Sequence, residues 1–148
     1  MDERLLLLLE DNPDRLRPML EVLALMLPRH RVQVEDDASS AINWFATNQA
    51  YVELISLDHD LDSVPRHEAV LVDHGCGRDV SRFLATCVPS CPVIVHTTNV
   101  MAGTDMQLDL RRAGWIDFRV YPFDGHAWVD KTWRDTIQSL ITRGYLTV

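Results

Sequence analysis

Lysine is nearly absent from this chain: of its 14 basic residues only Lys131 is a lysine, and the rest are arginines. Bases of either kind are outnumbered by 22 acids, for a formal charge of −8 at pH 7. A duplex-DNA reader needs cations to neutralise phosphates, so that class is excluded. Cysteine is scarce as well. Cys76, Cys87 and Cys91 are odd in number and lack paired C-x-x-C spacing, which argues against a disulfide framework and a zinc site. Long apolar runs are missing too. Leu5–Leu9 falls well short of the roughly 18–20 residues of a membrane span, and it follows Asp2 and Glu3 instead of the basic segment of an export signal. A cytoplasmic protein that does not meet the membrane is expected. No repeat, low-complexity tract or linker interrupts the 148 residues, 47% of them hydrophobic, so one domain with one core is expected over 1–148.

What is present alternates between two periodicities. Residues 4–9 form a short apolar run, as in a strand buried on both faces. Asn12-Pro13-Asp14 then opens a helix with Leu16, Met19, Leu20 and Leu23 on one face, and Pro18 in its first turns leaves the start open. Val32 and Val34 mark a second strand, and Ser39-Ser40 can cap a helix carrying Ile42, Phe45 and Ala46. Residues 54–57 make a third strand. A long irregular loop insertion over about 61–76 follows, and a segment of that length suggests a lid or a functional loop. Val80, Phe83, Leu84 and Cys87 give a third helix, and residues 92–95 a fourth strand. Met106, Leu110 and Ala113 give a fourth helix closed by Gly114, 118–120 a fifth strand, and Trp133, Ile137, Leu140 and Ile141 a last helix. Trp44, Trp115 and Trp133 fit packing roles. Strict alternation predicts an α/β fold with a doubly wound, five-stranded parallel sheet.

Ligands of such sheets bind beyond the carboxyl ends of the strands, where strand order reverses. The chain carries Glu10-Asp11, Asp58-His59-Asp60, His96-Thr97 and Tyr121 at those ends. The acid is also uneven, with 15 acids and 6 bases in residues 1–75 against 7 and 8 in 76–148.

This arrangement resembles a response-regulator receiver domain, the flavodoxin-like (βα)5 module of two-component signalling, over roughly residues 4–141. Glu10-Asp11 matches the acidic pair that holds a divalent cation, Asp58 the phospho-accepting aspartate, and Thr97 the hydroxyl after the fourth strand. The receiver lysine position is Tyr121, whose hydroxyl donates one hydrogen bond and carries no charge near pH 7. The segments Leu57-Asp58-His59-Asp60-Leu61, Gly77-Arg78-Asp79-Val80 and Val95-His96-Thr97-Thr98-Asn99, with Gly103 and Met106 following, are similar to a divergent branch, the cyclic-phosphate-processing receiver domain. That resemblance implies hydrolysis of a cyclic nucleotide or of a 2′,3′-cyclic phosphate RNA end. The partner is then a phosphate-containing small molecule or RNA end.

The residues are compatible with that chemistry. Glu10, Asp11 and Asp58 would repel one another unless a cation or proton sits among them, and hard oxygen ligands favour Mg²⁺, Mn²⁺ or Ca²⁺, with Mg²⁺ or Mn²⁺ the expected cofactor. Asp60 is a candidate fourth ligand or a plain loop carboxylate. Alternatively, Asp11 merely caps a helix and Glu10 is solvated. His59 and His96 are candidate acid and base with Asp58, or buried structural side chains. Arg78, behind Gly75 and Gly77 at a helix start, is a candidate phosphate ligand or a surface partner of Asp73 or Asp79. Thr97, Asn99 and Tyr121 are candidate phosphate or base contacts. His67, His74 and His126 are expected to be exposed unless the 61–76 loop closes over the site. A second reading is an atypical receiver that binds a partner or a nucleotide without chemistry, with Asp58 as candidate phospho-acceptor; a third is an interaction scaffold that uses the helix-four to helix-five face, as receivers do when dimerising.

Overall fold

Five consecutive leucines form strand β1, Leu5–Leu9, and all five are buried. Side chains alternate across a strand, so Leu5, Leu7 and Leu9 enter one apolar layer while Leu6 and Leu8 enter the other. Only a central strand covered on both faces accepts that pattern. The computed structural model describes residues 3–61, 73–123 and 125–148. Along the chain follow α1 (Pro13–Met26), β2 (Arg31–Glu35), α2 (Ala38–Asn48), β3 (Val52–Leu57), α3 (Gly77–Leu84), β4 (Val93–His96), α4 (Val100–Arg112), β5 (Asp117–Val120) and α5 (Arg134–Thr142).

The five strands are parallel and ordered β2-β1-β3-β4-β5. One face packs against Met19, Val22 and Leu23 of α1 and Ile137 and Leu140 of α5. The other packs against Phe45 of α2, Val80 and Leu84 of α3, and Met106 and Leu110 of α4. The order reverses between β1 and β3, which opens a crevice at their carboxyl ends. Among the described residues no helix is long and apolar enough to cross a membrane.

Local chemistry moves several boundaries. Helix α1 starts at Pro13, with the Asn12 side chain accepting from the Asp14 amide, and it runs on through Pro18. Asp37, not Ser39-Ser40, caps α2 by accepting from the Ser40 amide at 2.8 Å. Helix α3 ends at Leu84, so Cys87 lies beyond it. Residues 62–72, and His67 with them, lie outside the described residues, as does most of the expected 61–76 insertion. A π-helical turn, Val129–Trp133, precedes α5 and seats Trp133 fully buried in the sheet layer.

Gly77 ties α3 to the end of β3. Its amide donates to the His59 carbonyl at 2.9 Å, and a Cβ there would collide with the Asp58 carbonyl oxygen. That oxygen is backbone and cannot yield. Gly77→Ala is therefore expected to cost about 1–3 kcal/mol of stability in urea denaturation. A loss near zero would show that this junction relaxes freely.

Candidate functional site

Strands β1 and β3 end side by side, and the sheet ladder runs right up to the crevice. The Asp58 amide donates to the Leu9 carbonyl at 3.0 Å, and the Glu10 amide to the Glu35 carbonyl at 3.1 Å. Just beyond, Glu10, Asp11 and Asp58 each bring one carboxylate oxygen within 4.8 Å of the others. Glu10 is 1% exposed and Asp58 3%. A cavity of about 120 Å³ opens there, lined by Asp11, Asn12, Arg15, Asp58, Asp60 and Thr98. A larger cavity, about 440 Å³, lies among Val52, Pro92 and Tyr145, away from the strand carboxyl ends. The smaller one holds the converging acids and occupies the place where doubly wound sheets bind ligands.

Glu10 is fixed from two sides. Its Oε1 accepts from the Asn12 amide at 3.0 Å, and its Oε2 meets His96 Nε2 at 3.0 Å. His96 Nδ1 lies 2.8 Å from Ser56 Oγ, which accepts from Trp133 Nε1 at 3.1 Å. An indole only donates and an ionised carboxylate only accepts, so a His96 proton on Nε2 faces Glu10, while Ser56 Oγ bridges Trp133 and His96 Nδ1. Trp128 stacks on the His96 ring at 5.8 Å. A buried file of hydrogen bonds thus runs from the π-helical turn before α5 through β3 and β4 to the end of β1.

This corrects the reading of His96 as a proton-exchanging group. Its side chain is fully buried and both ring nitrogens are occupied, so it reaches no ligand in the cavity. His59 differs in exposure, although it too is absent from the cavity lining. Its side chain is 17% exposed, and Nδ1 lies 2.9 Å from Asp60 Oδ1. An ionised carboxylate only accepts, which puts the proton on Nδ1 and leaves Nε2 as a base. Asp60 thereby serves His59 and stands outside the three-carboxylate cluster, although it lines the cavity.

Other expected ligands are engaged elsewhere. Arg78 pairs with Asp105 at 3.0 Å and Asp109 at 3.3 Å on α4, which draws it away from the crevice. Thr97 is buried, and its Oγ1 accepts from the Asn99 amide at 3.1 Å. Asn99 caps α4 by accepting from the Ala102 amide at 3.0 Å. Tyr121 is half exposed, with its ring stacked on Phe123 and 4.6 Å from the Arg119 guanidinium. Of the loop histidines, His126 is exposed and His74 only partly so, its carbonyl accepting from the Ala38 amide at 2.9 Å.

Two arginines escaped the sequence reading. Arg15 Nη1 stands 3.6 Å from Asp58 Oδ2. Arg119 donates through Nη2 to the Thr97 carbonyl at 2.9 Å, and any side chain at Gly103 would strike its guanidinium. Gly103 therefore exists to let β5 lay an arginine against α4.

The three carboxylates fit a hard divalent cation by donor type, and the electrostatics agree. Burial, reinforced by the Glu10 carboxylate, raises the pKa of Asp58 from 3.8 to about 7; the His96 ring, the His59 amide and Arg15 oppose the rise. A group this reluctant to ionise gains most from a neighbouring positive charge.

A parallel sheet in the order β2-β1-β3-β4-β5, with acids at the ends of β1 and β3, defines the receiver class of α/β domains. Within that class the chain belongs to the cyclic-phosphate processing receiver domain family, whose model matches residues 5–112. Among similar solved structures is the phosphorylated cyanobacterial phytochrome response regulator RcpA. It is 19% identical over 98% of this chain and 97% of that one, with a TM-score of 0.68. The Mn(2+)-bound form of response regulator Rcp1 is 20% identical over 98% and 96%, with a TM-score of 0.62. The response regulator domain of Thermotoga maritima CheB is 11% identical over 99% and 98%, at 0.66. These likenesses establish the fold. No curated protein matches the chain significantly.

Asp58 gives the fold a pH signature. Between its ordinary 3.8 and about 7, the folded chain keeps a proton on Asp58 that the unfolded chain has lost. This contribution to stability is complete below that window and declines as pH rises through it. Asp58→Asn removes the dependence. In chelator-containing buffer, the melting advantage of the variant over wild type is expected to grow from about pH 5 to about pH 8. A constant gap in calorimetry would show that Asp58 ionises without hindrance.

Proposed function

We propose that the chain binds Mg²⁺ or Mn²⁺ through Glu10, Asp11 and Asp58 and hydrolyses a cyclic phosphate, either a cyclic nucleotide or a 2′,3′-cyclic phosphate RNA end. The observation that carries this reading is the convergence of three carboxylates within 4.8 Å beside the His59–Asp60 pair. The family description supplies the substrate class, and the manganese bound by Rcp1, on a similar fold, supports the cation. Such a cation supplies positive charge to a phosphoryl oxygen.

The side chains divide the remaining work. Asp11 and Asp58 line the cavity and Glu10 lies beneath it, held in place by Asn12 and His96. His59, oriented by Asp60, exchanges a proton at Nε2 with water or with the leaving alkoxide. At about 120 Å³ the cavity is far smaller than the roughly 300–1,000 Å³ that encloses a whole ligand, so it takes the phosphate and leaves the nucleoside at the rim.

Calorimetric titration with Mg²⁺ and Mn²⁺ is expected to show binding that Asp11→Asn loses. Hydrolysis of adenosine 2′,3′-cyclic phosphate and 3′,5′-cyclic phosphate, followed by ³¹P NMR, is expected to fall about 10²–10⁴-fold in His59→Ala. Turnover that survives Asp11→Asn would sink the reading.

The placement of Asp58 at the end of β3, in a fold shared with response regulators, favours one second reading: an atypical receiver that accepts a phosphoryl group and acts through a partner. Incubation with acetyl phosphate distinguishes it. A mass gain of one phosphoryl group on wild type, absent in Asp58→Asn and without cyclic-phosphate turnover, selects that role.

A further inference from the structure

We propose that Arg15 is the phosphate-binding cation of this site, standing in for the lysine that the end of β5 lacks and leaving Asp58 for the phosphate when the divalent cation binds. This deepens the proposed function and rests on its phosphate-binding step alone, not on hydrolysis.

The cavity needs a cation from the protein. Its lining carries Asp11, Asp58 and Asp60, with a Glu10 carboxylate oxygen within 4.8 Å of the first two, and an anion entering such a place meets repulsion from these acids. The end of β5 supplies no such group, because Tyr121 stands there, turned onto Phe123 and Arg119. The other basic groups near the crevice do not line the cavity. Arg78 is held by Asp105 and Asp109, and Arg119 donates through Nη2 to the Thr97 and Asn99 carbonyls while its Nε and Nη1 stay buried without a hydrogen-bond partner. Lys131 lies in the π-helical turn before α5. Among the described residues that line the cavity, Arg15 alone is basic.

Its placement follows from the start of α1. Asn12 caps the helix and Pro13 occupies its first position, so Arg15 falls one turn on from Asp11 and faces the end of β3. The Arg15 side chain is 22% exposed, sheltered but reachable. Its 3.6 Å separation from Asp58 is an ion pair too long for a hydrogen bond, so the planar fork keeps donors for an incoming anion. That fork matches the geometry of a phosphate, which a lysine ammonium does not. The same ion pair makes Arg15 a competitor of any cation that Asp58 would hold.

Two titrations on the full chain test the inference, with Mg²⁺ alone and then with inorganic phosphate at saturating Mg²⁺. Wild type, Arg15→Gln and Arg15→Lys are compared by calorimetry, with thermal melts as a check on folding. Arg15→Gln is expected to bind Mg²⁺ about threefold or more tightly, because a competing charge is gone. Its phosphate affinity is expected to fall about tenfold or more. Arg15→Lys is expected to keep part of the phosphate affinity, and it carries the test if the glutamine variant fails to fold. A purely structural arginine would weaken both ligands or neither. Unchanged phosphate affinity in Arg15→Gln overturns the role of Arg15 and leaves the hydrolytic reading standing. Phosphate binding that depends on Arg15, without turnover of cyclic phosphates, upholds Arg15 and removes the hydrolysis. Wild type that binds no phosphate overturns both.

Discussion

Glu10 is buried at the end of β1, and its carboxylate is satisfied by the Asn12 amide and the His96 ring, each at 3.0 Å. Neither donor stands alone. His96 is held by Ser56, Ser56 accepts from Trp133, and Trp133 reaches the sheet through the π-helical turn before α5. A donor or acceptor left unpaired at that depth costs about 1–3 kcal/mol, so each member of the file constrains the next. The seat of α5 on one face and the carboxylate at the crevice are parts of one arrangement.

The second constraint is crowding of like charge. Three carboxylates within 4.8 Å, two of them buried, form a place that prefers either a proton or a cation, and Asp58 registers this in its raised pKa. The fold answers by rationing its arginines. Arg78 is anchored to α4 and Arg119 lies against Gly103, which leaves Arg15 beside the acids. With lysine absent from the end of β5, the balance of charge at the crevice is set from α1.

Much of this was legible in the chain. The all-apolar Leu5–Leu9 implies a central strand, and alternation implies the doubly wound sheet. The rule for carboxyl ends brings Glu10, Asp11 and Asp58 to one place. The direction of His96 was also written there, in strand parity. His96 shares a face with Ile94, Ser56 with Leu54, and Glu10 with Leu6 and Leu8, so all three belong to the layer under α1 and α5. Arg78 was less accessible, because its partners Asp105 and Asp109 lie about 30 residues away, on a helix whose rotation only tertiary packing sets. Arg15 had a local signal that was easy to pass over: it falls one helical turn beyond Asp11, just after the Asn12-Pro13 start. The caps of α2 and α4 were hidden for another reason. Several residues near each helix start could have served, and backbone geometry selects one.

The same buried file gives the protein an optical property. Trp128 stacks on His96, Trp133 donates to Ser56, and the two indoles meet edge to face at 6.4 Å. Trp44 and Trp115 pack in the other apolar layer, on the far side of the sheet. Two of the four indoles therefore touch the file that ends at Glu10, while the other two lie across the sheet from it. Intrinsic tryptophan fluorescence is the natural place to look for a change of charge in the crevice.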